Sequence, residues 1–225
     1  MQTSEDSRAR YDGMAGWYEE YNAAAAEANR DALVALLGPG EGWCLDLGCG
    51  TGHYFDAIRA TGRSVVGLDR SGDQLRLAAG RDRHVVQGDA SHLPFADGVF
   101  PTVVSLFAST DVDDWPGAAR EAARVLMPGG LFVFFGVHPC FNGPHVENRE
   151  DGARIVHPTY RKAGRHESAP WWKRGGVRER VGMRHLPLPE LLNGVLDAGL
   201  ILERVGEPRD EPVPHVLALR ARRPV

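Results

Sequence analysis

Four residues, Asp46, Gly48, Gly50 and Gly52, stand on alternate positions in the stretch "CLDLGCGTGHYFDAI" from Cys44 to Ile58. A short apolar strand that ends in glycines makes a tight turn, and a ligand can sit there against bare main chain at the start of a helix. In a dinucleotide site the third glycine falls three residues after the second. Here that position is His53, so the spacing is G-x-G-x-G. A second acid, Asp69, closes "VVGLDR" about 20 residues after the turn, where a carboxylate can accept from both hydroxyls of a ribose. A third, Asp89, lies in "VVQGDASHLPF". Three acids at successive strand ends converge on the crevice where open parallel sheets bind ligands.

The elements that must hold these groups are legible as alternating apolar runs and helical patterns. Asn22 to Leu37 is rich in alanine and leucine and stops at Gly38-Pro39-Gly40, which predicts a helix. Trp43 to Leu47, Ser64 to Leu68, His84 to Gln87 and Thr102 to Leu106 are short and apolar on both faces, as expected of strands covered on both sides. A helix from about Trp115 to Leu126 leads through "MPGG" to a fifth strand, Leu131 to Val137. After a long irregular stretch the pattern resumes with a helix, Leu188 to Ala198, and two strands, Leu200 to Val205 and His215 to Arg220. The Pro-rich link between these last two favours an antiparallel pair at the sheet edge. The expected fold is α/β: a doubly wound, seven-stranded, mostly parallel sheet with an antiparallel edge hairpin and an insertion after strand five.

The whole-chain figures narrow the functional classes. At 225 residues with 43% hydrophobic and 25% charged content, the composition is that of a folded protein. A formal charge of -4 gives no reason to expect nucleic acid or an anionic membrane as partner. Cys44, Cys49 and Cys140 form no C-x-x-C pair and suit a reducing cytoplasm. The start of the chain, "MQTSEDSRARYDG", lacks an apolar signal core, and no apolar run approaches the roughly 20 residues of a membrane span. The expectation is a cytoplasmic protein, monomer or homodimer.

The set "DLGCGTG", "GLDRSGDQL", "GDASHLPF" and "REAARVLMPGGLFVF", with "YDGMAGWYEEY" near the start, resembles the class I S-adenosylmethionine-dependent methyltransferases, in the subgroup acting mostly on small molecules. The resemblance runs from about Tyr11 to Val137 and more loosely beyond Leu186. It implies one Rossmann-like domain over residues 1–225, with an N-terminal helical lid over about 1–38 and a substrate cap made by the insertion over about 138–185. It implies S-adenosylmethionine as cofactor. The turn Gly48, Cys49, Gly50 and Gly52 would lie against its methionine and ribose part, with Asp46 holding the turn and reaching toward the amino group. Asp69 would take the ribose hydroxyls, Arg70 and Leu75 would flank the adenine, and Asp89 with the Ala90 backbone would read its exocyclic amine and ring nitrogen. Ser105 would offer its carbonyl to the ammonium, and Tyr11 and Tyr18 would close over the cofactor. Two positions depart from the family pattern: Pro101 stands where an acid is common, and Gln74 where an apolar residue usually meets adenine.

An amine acceptor must be neutral, a phenol, hydroxyl or acidic carbon can require a base, and a carboxylate acceptor needs none. His138, ending the fifth strand, is the first choice for that role, ahead of His145, His157 and His166 in the insertion; His53 is expected in a first helical turn, in packing or a cofactor contact. No histidine spacing matches a defined metal site, so none is expected. Between His138 and His185 the chain carries ten Lys and Arg against five Asp and Glu, with Phe141, Tyr160, Trp171 and Trp172. Such a lid could favour an aromatic or anionic acceptor; it could equally be a solvated loop or a dimer contact. The expected activity is methyl transfer to an oxygen or nitrogen of a small molecule. Two alternatives stay open: a protein that binds S-adenosylmethionine without transferring the methyl, and an RNA or protein methyltransferase.

Overall fold

A computed structural model describes residues 9–225; the first eight residues of the expected N-terminal lid lie outside the described residues. Helix α1 (Ala15–Leu37) leads into strand β1 (Trp43–Leu47), helix α2 (Phe55–Arg59), β2 (Ser64–Asp69), α3 (Gly72–Arg81) and β3 (Val85–Gln87). Then come β4 (Phe100–Leu106), α4 (Trp115–Val125) and β5 (Leu126–Val137). The insertion holds β6 (Val146–Asn148), β7 (Arg154–Val156), β8 (Gly164–His166), α5 (Val177–Val181) and β9 (Met183–His185). Helix α6 (Leu188–Asp197) and strands β10 (Ile201–Gly206) and β11 (Val216–Arg222) close the chain.

One seven-stranded sheet runs in the order β10-β11-β5-β4-β1-β2-β3. Strands β1 to β5 are mutually parallel where they pair, and β11 is antiparallel to both β5 and β10. The chain therefore builds outward from β1 to β3 and then returns to the other side of β1 as β4. That reversal opens a crevice at the carboxyl ends of β1 and β4, the general ligand position of such sheets.

Alternation along the strands divides the core. Phe132 and Phe134 of β5 pack with Trp115, Ala118 and Ala122 of α4 and Leu191 and Val195 of α6. Val133 and Phe135 point to the other face, against Leu33 and Leu37 of α1 and Phe55 and Ile58 of α2. A strand buried on both faces needs apolar residues at consecutive positions, which is why β1 and β4 read as unbroken apolar runs. Local chemistry sets the helix starts near the crevice: the Ser71 hydroxyl accepts from Gln74 N at 3.3 Å at α3, and Asp114 Oδ1 accepts from Gly117 N at 2.9 Å at α4.

Several element boundaries differ from expectation. Helix α1 begins at Ala15, not Asn22, because Trp17 and Tyr21 stack one turn apart at 4.9 Å and extend the helix through an aromatic stretch. Strand β4 begins at Phe100, not Thr102, and Pro101, its second residue, sits where the register against β5 steps from Phe100 opposite Leu126 to Thr102 opposite Leu131. The step takes up the "MPGG" turn, so β5 starts at Leu126. His53 lies in the turn ahead of α2, not in its first turn. The irregular stretch holds two small antiparallel pairs, β6 with β7 and β8 with β9.

Candidate functional site

A cavity of about 390 Å³ follows the crevice from Gly48 and Gly50 past Asp69 to Asp89 and Ala90. Its walls also include Tyr11 and Tyr18 from the N-terminal segment, Gln74 from α3, Leu106 at the end of β4, and Phe107, Ala108 and Asp111 from the loop that follows. A smaller cavity of about 30 Å³ shares Tyr18, Gly48, Gly50, Leu106 and Phe107 with it and adds Asp46 and Cys49.

The three glycines answer different demands. A Cβ on Gly48 would stand 2.6 Å from the Cβ of Ala108, and one on Gly52 would stand 2.8 Å from the Phe55 ring, so packing alone excludes side chains at both. Gly50 meets only Gln74 Oε1 at 3.6 Å and Tyr18 Cε1 at 3.9 Å, with a φ of +53. It is the glycine of the three that turns an open face to the cavity, and its N–H donates to Asp69 Oδ2 at 2.8 Å. The other carboxylate oxygen, Oδ1, accepts from Ser71 N at 2.8 Å. Each oxygen of Asp69 keeps a second lone pair. Burial raises its carboxyl above the usual range, against the lowering effect of these two N–H groups.

Asp46 is 1% exposed, and neither carboxylate oxygen has a hydrogen-bond partner among the described residues. Burial, and then the charge of Asp69, push its carboxyl up to about 8. Such a group is satisfied by a buried cation or strong donor at the small cavity. Asp89 is different. Burial tends to raise its carboxyl, but the hydroxyl and N–H of Ser91, at 2.7 and 2.8 Å, hold it below the usual range and ionised.

The N-terminal segment is strapped across the larger cavity. On one side Asp12 Oδ1 accepts from the Ser71 hydroxyl at 2.6 Å; on the other Tyr11 donates to Asp111 Oδ2 at 3.2 Å and Arg10 to the Asp111 carbonyl at 3.0 Å. Asp111 also meets the Arg178 guanidinium, 3.2 Å from each oxygen. The Tyr11 and Tyr18 rings pack edge to face at 5.0 Å. Burial and the Asp111 charge push the Tyr18 phenol up to about 12, so it stays a neutral donor.

Residues 45–134, from β1 into β5, match the family model described as "Methyltransferase domain". Residues 45–134 carry a methyltransferase domain, and the fold is that of the class I S-adenosylmethionine-dependent methyltransferases. It is 35% identical over 125 residues to the malonyl-[acyl-carrier protein] O-methyltransferase of Pectobacterium atrosepticum, covering 53% of this chain and 48% of the relative. It is 38% identical over 138 residues to the demethylmenaquinone methyltransferase of Mycobacterium marinum, covering 57% of this chain and 58% of the relative. The chain thus spans about half the length of the curated relatives it matches. The crystal structure of a putative S-adenosylmethionine-dependent methyltransferase from Listeria monocytogenes shares the fold, with a TM-score of 0.69, 20% identity, and coverage of 92% of this chain and 100% of that one.

The methyltransferase domain's cofactor, S-adenosylmethionine, fits the groups present. The unpartnered Asp46 carboxylate suits its ammonium, the free lone pairs of Asp69 suit a ribose diol, and the open face of Gly50 leaves room between them. Of the residues singled out in the sequence, Tyr11, Tyr18, Gly48, Gly50, Asp69, Arg70, Asp89 and Ala90 line the larger cavity. Asp46 and Cys49 line the smaller one.

Four of the residues singled out in the sequence lie outside both linings. Gly52 lines neither cavity, since the Phe55 ring occupies its open side. Leu75 packs in the core, one residue of helical rotation away from Gln74, which takes the cavity wall. Ser105 is fully buried within β4 and outside both linings; Leu106 and Phe107 form the strand's exit. His138 also lies outside both linings, with Nε2 3.1 Å from Glu207 and Nδ1 accepting from Cys140 N at 3.2 Å. Burial lowers its pKa despite the Glu207 partner.

The insertion stands apart from the larger cavity: none of its residues lines it. Several of its cations are committed elsewhere: Arg178 to Asp111, Arg165 to Glu167, and Arg154 to the Phe141 carbonyl at 2.7 Å. Three of its histidines contact other groups of the insertion: His145 Nε2 is 3.2 Å from the Cys140 carbonyl, His185 donates to the Tyr160 carbonyl at 2.7 Å, and His157 stacks on Trp171 at 3.9 Å. Among the described residues no group of three or more His, Cys, Asp or Glu is placed to hold a metal, and no helix is long and apolar enough to cross a membrane. Sequence reading missed Asp111 and Phe107 as wall residues. The acidic run "DVDD" at the exit of β4 is the signal that could have found Asp111.

Proposed function

We propose that this domain transfers a methyl group from S-adenosylmethionine to an oxygen or nitrogen of a small molecule. The observation that carries the reading is the pairing of an anchored Asp69 with a buried, unpartnered Asp46 on either side of Gly50. When bound, the cofactor supplies a methyl carbon on a sulfonium that is already activated for displacement, so the protein's part is positioning and exclusion of water. Asp69 takes the ribose hydroxyls, Asp89 and the Ala90 backbone hold the adenine edge beside Arg70, and Gly48, Cys49, Gly50 and Asp46 receive the amino-acid end. Tyr11 and Tyr18 exclude water, making the described part of the N-terminal segment a lid.

The acceptor is read more finely from what the wall lacks. No histidine is among the residues that line the larger cavity, and His138 is turned toward Glu207. An acceptor that needs no base, such as a carboxylate, an acidic phenol or an amine delivered neutral, suits this wall best. The relative from Pectobacterium atrosepticum bears an O-methyltransferase name, in keeping with oxygen as the acceptor atom. The insertion is tied to the loop after β4 by Arg178 and by Arg184 N, which donates to the Thr110 carbonyl at 2.7 Å; we assign it the acceptor side of the cap.

The test is incubation with S-adenosylmethionine and a panel of carboxylates, phenols and amines, with S-adenosylhomocysteine as the readout. Acceptor-dependent product supports the proposal. Tight binding of S-adenosylmethionine with no product across the panel turns the reading to a protein that binds without transferring. Absence of binding overturns it.

A further inference from the structure

Gln74 faces the larger cavity from the first turn of α3 with its whole amide unsatisfied. It is 2% exposed, and neither Oε1 nor Nε2 has a hydrogen-bond partner among the described residues. Its backbone N–H is already committed to the Ser71 cap at 3.3 Å, which fixes the helix start and so the direction of the side chain. A buried amide offers two N–H donors and one acceptor oxygen, and leaving such a group unpaired is costly. Leucine would fill similar space without that cost. The position therefore calls for a polar partner in the cavity.

The neighbours say where that partner lies. Gln74 Oε1 is the nearest atom to the open face of Gly50, 3.6 Å from where a Cβ would stand. The N–H of the same glycine is held by Asp69 at 2.8 Å. Gln74 and Asp69 thus flank one residue, and both line the larger cavity. A carboxylate at Asp69 accepts, while the amide brings donors. A vicinal diol needs both kinds, because each hydroxyl gives one hydrogen and keeps lone pairs.

We propose that Gln74 donates to a ribose oxygen of the cofactor while Asp69 accepts from the ribose hydroxyls, so that the pair reads the diol. This rests on the S-adenosylmethionine reading above. It also accounts for an amide at a position where the resemblance leads one to expect an apolar residue.

The experiment is calorimetric titration of wild type, Gln74→Leu and Gln74→Met with S-adenosylhomocysteine and with its 2′-deoxy and 3′-deoxy counterparts, alongside melting of the unliganded proteins. The expected result is about tenfold weaker binding of S-adenosylhomocysteine by both variants, together with loss of most of the wild type's preference for the diol over at least one deoxy ligand. The unliganded variants should melt at or above the wild-type temperature, since an unpaired buried amide has been replaced by an apolar group. Binding within twofold of wild type with discrimination intact would overturn the proposal. So would a loss shared equally by all three ligands, which would mark Gln74 as a packing residue. Failure of the wild type itself to bind S-adenosylhomocysteine would instead overturn the cofactor reading.

Discussion

Gly50 N donates to Asp69 Oδ2 at 2.8 Å, so the turn that leaves β1 and the end of β2 form one unit rather than two independent ligand contacts. Asp69 shapes the glycine turn before anything binds. Its loss should act twice, on the ribose contact and on the turn.

Asp69→Ala is accordingly expected to weaken S-adenosylhomocysteine binding by about 100-fold, the scale of losing hydrogen bonds to a charged group in a partly buried site. Isothermal calorimetry reads this directly. Affinity within threefold of wild type would remove Asp69 from the ribose role.

Asp46 predicts how stability depends on pH. Its folded-state pKa is raised to about 8, by burial first and by Asp69 second. A carboxyl raised above its unfolded value, about 4, favours the folded state below that value, and the contribution is lost as pH rises through the folded pKa. The unliganded protein should therefore lose stability between about pH 4 and pH 8, in part through Asp46. In Asp46→Asn that part of the slope should vanish, while affinity for S-adenosylhomocysteine falls through loss of the ammonium partner. Melting curves across this range, with and without ligand, check both. An unchanged slope in the variant would show that Asp46 does not titrate there.

His138 is bound to Glu207 and to Cys140 N, outside both cavities. His138→Ala should lower the melting temperature by a few degrees, since the Glu207 contact and 4%-exposed packing are lost, and leave kcat within about threefold. A hundredfold loss of kcat in a protein that melts normally would restore the histidine to the chemistry.

Arg178 joins the insertion to Asp111, which in turn holds Tyr11 and Arg10 of the N-terminal strap. Arg178→Met leaves Asp111 partly buried without its cation, and the strap should open more readily. Hydrogen exchange in the unliganded protein should rise at residues 9–14, with little change in β1, β4 and β5. Uniform acceleration throughout the sheet would mean that Arg178 supports the fold as a whole rather than the strap.

Much of the fold was legible because its signals are local or periodic. Apolar runs of five or six residues can only be buried strands when turns bound them, and Gly-Pro-Gly after Leu37 stops a helix whatever surrounds it. Asp46, Asp69 and Asp89 were placed correctly at strand ends for the same reason: each follows an apolar run by a countable number of residues. The faint parts were those set by aromatic packing, as at the start of α1, or by a register step, as at Pro101.

The sequence by itself determined the sheet, its crevice and the acids that line it, since strand length, alternation and turn chemistry are carried by neighbouring residues. Tertiary structure alone decided which side chain of each pair reaches the cavity. One residue of helical rotation, about 100°, separates Gln74 on the wall from Leu75 in the core, and one step of β4 separates buried Ser105 from Leu106 at the rim. It also decided that Gly48 and Gly52 answer to Ala108 and Phe55 while Gly50 faces the cavity. Contacts between segments far apart in the chain settle such choices, and the spacing of residues along it carries no record of them.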